Sequence, residues 1–302
     1  MKIAALLTCH DRRVKTERCL SSLLNALSVY NDNHNDAVRL EIFLTDDGCS
    51  DGTADAALGV VGDKVPLHIL KGDGNLFWAG GMRYCWGAAL KRQSEWDYYL
   101  LLNDDVEMME NLFEELFDTQ EFNKEHFGLE GLCSGNTCWR DNPQKRSYGG
   151  RVWVSRFWAT HKPLEPTGEP QMCDLVNANI LLVPQRVVDK IGILYKGFRH
   201  GEADYDYGIM ARKAGFPVVV SAHFCGIADN DHVDHNKQKS DKVISMSLKE
   251  RKEWFKNPLH SNQDYLCYVR RVAPLRFPLV WLGDCLRLYF PKFYYRLNGM
   301  RK

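Results

Sequence analysis

The chain has no excess of charge of either sign. Its 39 basic residues balance 39 acidic ones over 302 positions, so no global field recruits nucleic acid or an anionic membrane, and specificity must come from local sites. It also lacks metal-type cysteine spacing: ten cysteines are scattered, none in a CxxC pair, and only Cys133 and Cys138 lie close together. A zinc ribbon or finger is thereby excluded. The amino terminus, MKIAALLTCHDRR, has a brief apolar run that meets His10, Asp11, Arg12 and Arg13, a poor match to a secretory leader. With scattered thiols in a chain this long, it predicts reduced core cysteines and a cytoplasmic protein. No run reaches the roughly 20 apolar residues that span a bilayer. Internal repeats and low-complexity tracts are missing too.

What is present is a 45% hydrophobic composition, enough for one large α/β domain or for such a domain with a helical appendage. In the first third, short apolar runs alternate with helical patterns, as a parallel sheet flanked by helices requires. Lys2 to Thr8, Leu40 to Thr45, Leu67 to Leu70 and Tyr98 to Leu102 read as strands. Thr16 to Tyr30, Thr53 to Leu58 and Gly80 to Gln93 read as helices. Residues 128 to 184 are richer in turn residues and β-formers and predict a mixed-sheet extension. Beyond them, Gln185 to Ile191 and Asp204 to Ala214 predict helices, the second opened by acids that favour its dipole. The charged stretch 236–256 predicts a mobile loop and then a helix. From Arg270 to Lys302, basic residues interleave with aromatics and leucines, which predicts a helical appendage packed on the domain or an interfacial membrane segment.

Strands of the first third run into acidic turns at their carboxyl ends, the edge where open α/β sheets hold ligands. After YYLLLN come Asp104 and Asp105. Paired carboxylates at a strand end suit Mg²⁺ or Mn²⁺, which bridge acids to substrate phosphates, although acids in such turns are also ordinary solvated residues. A second turn, TDDGCSDGT, carries Asp46 and Asp47; an acid beyond a strand can accept hydrogen bonds from a nucleoside, or simply turn the chain and cap a helix.

In their order, TCHDR, TDDGCSDGT and LLNDDV resemble the family 2 glycosyltransferases of GT-A fold. GDGNLFWAGGMR, YGG, CDLVNANILLVP and the run from His200 to Gly208 are similar to a bacterial branch that includes rhamnosyltransferase-like enzymes. The resemblance covers roughly residues 2 to 235 and implies an open mixed sheet flanked by helices over 1–235, followed by a loop and C-terminal helical region over 236–302. It further implies a nucleotide-diphosphate sugar as donor, with Thr8, His10, Arg12, Asp46, Asp47 and Asp104 at the nucleotide and Asp105 as ligand of Mn²⁺ or Mg²⁺. Asn75, Trp78, Gly80, Gly81 and Arg83 match the segment that closes over the donor. Glycines there permit close approach to phosphate, and Arg83 is a candidate partner of the diphosphate. His232, with His235 as alternative, is a candidate further metal ligand. Asn177 and Asn179 match the floor of the acceptor site.

The run HGEADYDYG offers three acids as general base. Aligning Asp206-Tyr207-Gly208 with the family pattern selects Asp204 as catalytic base and leaves Glu202, one residue off register, as the alternative. A partly buried carboxylate suits that role, because burial raises its pKa toward a useful value. The implied activity is inverting transfer of a sugar to a hydroxyl of a lipid-linked glycan in O-antigen, capsule or wall synthesis, at the inner face of the plasma membrane. Two other readings stay open: a nucleotidyltransferase that makes a nucleotide sugar, and a non-catalytic nucleotide-sugar-binding module.

Overall fold

The structure is a computed structural model that describes residues 1–92, 95–230 and 236–299. The chain runs β1 (Lys2–Cys9), α1 (Arg13–Asn33), β2 (Arg39–Asp46), α2 (Thr53–Val61), β3 (Leu67–Lys71), α3 (Phe77–Lys91), β4 (Tyr98–Leu102), β5 (Val106–Met108) and α4 (Leu112–Phe127). A strand-rich stretch follows: β6 (Leu132–Trp139), β7 (Asn142–Arg146), β8 (Gly150–Ser155), β9 (Thr160–Pro163), β10 (Gln171–Met172), β11 (Leu175–Val176) and β12 (Ile180–Pro184). The remainder is α5 (Gln185–Ile191), α6 (Ala203–Lys213), β13 (Val218–Ala228), α7 (Asn236–Ser245), α8 (Leu248–Trp254), α9 (Gln263–Val272), α10 (Phe277–Tyr289) and α11 (Pro291–Gly299).

β1 explains the architecture. Every residue from Ile3 to Cys9 is buried, and successive side chains of a strand point to opposite faces. Ala4 and Leu6 accordingly pack with Ala79, Met82 and Trp86 of α3, while Ile3, Ala5 and Leu7 pack with Cys19, Leu20 and Leu23 of α1. A strand covered on both faces belongs at the centre of a parallel sheet. β1 is indeed flanked in parallel by β2 and β4, with β3 outside β2. On the far side of β4 the sheet turns mixed, with β12 antiparallel to both β4 and β6 and β13 parallel to β6. The full order is β10-β13-β6-β12-β4-β1-β2-β3, and β11-β8-β9 form a small second sheet. This is the open mixed α/β sheet that the sequence predicts, with helices at the carboxyl end of the chain.

Three local outcomes differ from the sequence reading. The helix expected from Gly80 begins at Phe77, so Gly80 and Gly81 lie inside α3. The stretch 106–127, which periodicity left unassigned, forms β5 and α4. The charged stretch expected as loop and helix forms α7 and α8, the latter opened by a capping box between Ser247 and Glu250. Its alternating charges solvate a helix as readily as a loop. All ten cysteines are free. Among the described residues, no helix is long and apolar enough to cross a membrane.

Candidate active site

The carboxyl ends of β1, β2 and β4 open onto a cavity of about 760 Å³. Of the residues singled out from sequence, Thr8, His10, Arg12, Asp47, Asn75, Trp78, Asp104, Asp105, Asn177, Asn179, Glu202 and Asp204 all line it. They come from positions 8 to 204, and the sheet order is what brings them together.

One end of the cavity is acidic. Asp104 and Asp105 follow β4, and Arg12 Nη1 lies 2.6 Å from Asp105 Oδ2 and 3.4 Å from Asp104 Oδ1. Burial pushes Asp104 up to about 7, opposed by Arg12 and reinforced by Asp105. Oxygen donors of this kind are what Mn²⁺ and Mg²⁺ take, and the guanidinium sitting against both carboxylates shows that the place accommodates a cation. The acids therefore fit a divalent ion. Among the described residues a further set of metal-capable atoms, from Asp11, Cys49 and Asp51, lies within 4.8 Å of one another. Its carboxylates, like those of Asp104 and Asp105, already have partners: Asp11 accepts from the Ser50 N–H and Asp51 from the Arg13 N–H and the Thr53 hydroxyl.

Asp47 has a different task. Its Oδ1 accepts the Gly74 N–H at 2.9 Å, and its Oδ2 accepts those of Leu76 and Phe77, both at 3.0 Å. It thus satisfies amides at the start of α3 that no intrahelical carbonyl can reach. His10 Nδ1 bonds the Asp47 carbonyl at 2.7 Å, and Trp78 Nε1 donates to Asn103 Oδ1 at 2.7 Å. These contacts fix the floor of the donor end.

Another part of the cavity wall is built by the loop into α6 and the start of that helix. Glu202 has φ of 64°, a left-handed conformation uncommon for a residue with a side chain. Its neighbour Asp204 accepts the Ala178 N–H at 3.1 Å and the Tyr205 N–H at 2.9 Å. Burial outweighs those bonds and pushes Asp204 up to about 6; burial and the nearby Asp204 push Glu202 up to about 7. Asn177 donates to the Tyr205 hydroxyl at 3.4 Å, while its buried Oδ1 has no hydrogen-bond partner.

Four predicted residues stand elsewhere. Asp46 is buried against Lys71 at 2.5 Å and accepts the Cys49 N–H; burial opposes its ionisation, but these bonds hold its carboxyl below the usual range. Gly80 and Gly81 face the interior: a Cβ on Gly81 would lie 2.1 Å from Thr8 Oγ1. Arg83 is turned away from the cavity to the carbonyls of Tyr195 and Phe198, at 3.2 and 2.7 Å. His232 lies outside the described residues, as does His235.

Sequence reasoning missed His200, Tyr148, Tyr205, Asn257 and Leu259, which also line the cavity. It missed Asp264 of α9 as well, whose carboxylate accepts the N–H groups of Arg199, His200 and Gly201 at 2.9, 2.7 and 3.0 Å. The C-terminal helices therefore hold the loop that carries Glu202 and Asp204. Asp264 falls in a stretch to which the sequence reading assigned no element, and nothing in its surroundings signals partners 63 to 65 residues away.

The model of the family described as glycosyl transferase family 2 matches residues 5–173. No functionally curated protein matches the sequence. Among solved structures, the mannosyltransferase PcManGT from Pyrobaculum calidifontis, in complex with GDP-Man and Mn²⁺, is 11% identical with a TM-score of 0.53 and covers 99% of this chain and 83% of its own. S. aureus TarS in complex with UDP is 13% identical at a TM-score of 0.53, covering 97% and 88%. TarS with UDP-GlcNAc gives 12% and 0.51, covering 90% and 72%. At such identities the likeness is one of fold.

Proposed function

Because the chain belongs to glycosyl transferase family 2, we propose that it transfers a sugar, with inversion at the anomeric carbon, from a nucleotide-diphosphate donor to a hydroxyl of a lipid-linked glycan. The observation that carries this reading is one cavity lined both by a cation-compatible pair of acids and by a buried carboxyl of raised pKa, Asp204. Inverting transfer needs both: charge neutralisation at the departing diphosphate and a base at the incoming hydroxyl.

In the proposed mechanism Thr8, His10 and Asp47 border the nucleoside, and Arg12 with Asp104 and Asp105 faces the diphosphate. Asp105 would hold a Mn²⁺ or Mg²⁺ ion, which when bound would supply positive charge at the leaving group. Asp204 takes the proton of the acceptor hydroxyl as its oxygen bonds to the anomeric carbon. The bond from that carbon to the diphosphate oxygen breaks, and its electron pair leaves with the nucleotide diphosphate. No covalent sugar intermediate forms. Asn177 and Asn179 orient the acceptor, and Glu202, raised by burial and by the charge of Asp204, keeps its proton where Asp204 has lost its own.

The relatives bind UDP-GlcNAc and GDP-Man, and by resemblance a rhamnosyl or hexosyl donor suits this chain, with cell-surface polysaccharide such as O-antigen or capsule as product. The enzyme then works in the cytoplasm at the inner face of the plasma membrane. Substitution Asp204→Asn tests the assignment: turnover falls by about a hundredfold or more while donor affinity, read by calorimetry, holds. A variant with unchanged turnover overturns Asp204 as base.

A further inference from the structure

Helices α10 and α11 and the turn before them leave an apolar surface that no other described residue covers. α10 has no buried residue although its sequence, FPLVWLGDCLRLY, is dominated by apolar side chains. Leu279, Leu282 and Tyr289 recur at helical spacing and are 59%, 51% and 49% exposed, and Leu275 just before them is 82% exposed. α11 adds exposed Phe293 and Leu297 beside exposed Lys292 and Arg296. An amphipathic helix draws its stability from the partner of its apolar face.

A second element reaches the same surface from the small sheet. The turn between β8 and β9 exposes Phe157 and Trp158, whose rings meet edge to face at 4.9 Å. Arg276 joins it to α10: its Nη1 donates to the Trp158 carbonyl and to the Tyr265 hydroxyl. α10 is in turn pinned to the domain by the mostly buried Arg251, which donates to the Leu288 carbonyl at 2.7 Å and to the Met246 carbonyl at 2.6 Å. The surface is therefore a fixed part of the fold.

Charge selects the occupant. Residues 270–302 contain eight Arg and Lys against the single acid Asp284, a net +7 in a chain whose total is zero, so residues 1–269 carry −7. A second copy paired two-fold through this same face would bring like charge to it, whereas an anionic lipid surface brings the opposite charge together with an apolar layer. α10 has 13 residues, short of the roughly 20 that cross a bilayer, so the geometry is one of lying in the headgroup region. We propose that α10, α11 and the β8–β9 turn form one docking face for an anionic bilayer. A ring contact between Tyr265 and Tyr268 at 6.3 Å and another between Tyr268 and the cavity residue Tyr205 at 6.4 Å run from this face to the side of the cavity that holds Asp204. The docked chain thus presents its acceptor end to the lipid. That delivery rests on the glycosyl-transfer reading; the binding itself rests on the surface alone.

The test is flotation of the full chain with vesicles of equimolar phosphatidylcholine and phosphatidylglycerol, against vesicles of phosphatidylcholine only. The proposal predicts capture by the anionic vesicles at low salt and release as salt screens the charges. Leu279→Glu with Phe293→Glu, and separately Lys292→Glu with Arg296→Glu, each weaken capture by about tenfold or more, while thermal unfolding and nucleotide binding hold. A wild-type chain that stays in the soluble fraction overturns the proposal, as does a concentration-dependent dimer dissociated by the Leu279→Glu pair. Nucleotide titration without vesicles reports separately on the transferase reading, so the two can fail independently.

Discussion

Asp204 and Glu202 lie two residues apart in one cavity wall, and their environments differ. Asp204 is fixed by two backbone N–H groups, whereas Glu202 sits on a left-handed residue and is raised further, by burial and by Asp204 itself. A general base works ionised, so the account predicts that kcat/KM rises with pH through an acidic limb near pH 6, where Asp204 loses its proton. Glu202 is raised further than Asp204 and keeps its proton where Asp204 ionises, so Glu202→Gln, close in shape to that neutral acid, should leave the limb near pH 6 and turnover largely in place. Loss of turnover by a hundredfold in that variant would instead make Glu202 the base. Sequence alone selected Asp204 by register and kept Glu202 as the alternative; their difference in desolvation was not legible there, because it depends on what α9 and its neighbours cover.

At the scale of elements, α3 decides how the donor end is built. Its first amides are satisfied by Asp47 from the end of β2, and its second turn meets β1 at Gly81. Because a Cβ there would lie 2.8 Å from Thr8 Cβ as well as 2.1 Å from Thr8 Oγ1, rotating the hydroxyl away does not relieve the clash. Gly81→Ala should destabilise the fold by about 1–3 kcal/mol in urea unfolding, the usual cost of overpacking. Gly59→Ala in α2, where nothing lies within 4 Å of the added methyl, should stabilise by about 0.5–1 kcal/mol, the helix-interior advantage of alanine. Equal stabilities for both variants would contradict the packing argument. The strands of the first third were legible because their apolar runs are bounded by acidic turns. The role of Gly80 and Gly81 was not, since a glycine pair reads the same whether it approaches a phosphate or a threonine. For the same reason Arg83 was legible as a cation but not as one spent on the carbonyls of Tyr195 and Phe198.

At the scale of the molecule, the sheet edge gathers acids from β2, β4 and the loop before α6 into one cavity, and α9 holds that loop through Asp264. The motif order foretold the first part, because strands ending in acids define the ligand edge of an open sheet. The second part was hidden, since long-range contacts of a C-terminal helix leave no periodic trace. The central claim is that this edge binds a nucleotide with a divalent cation. Calorimetric titration of the full chain with UDP, dTDP and GDP, each with and without Mn²⁺, tests it most directly. The account predicts binding of one nucleotide that requires the ion and weakens at least tenfold in Asp105→Asn, a loss of about 1.4 kcal/mol. No binding of any nucleotide in either condition would contradict it.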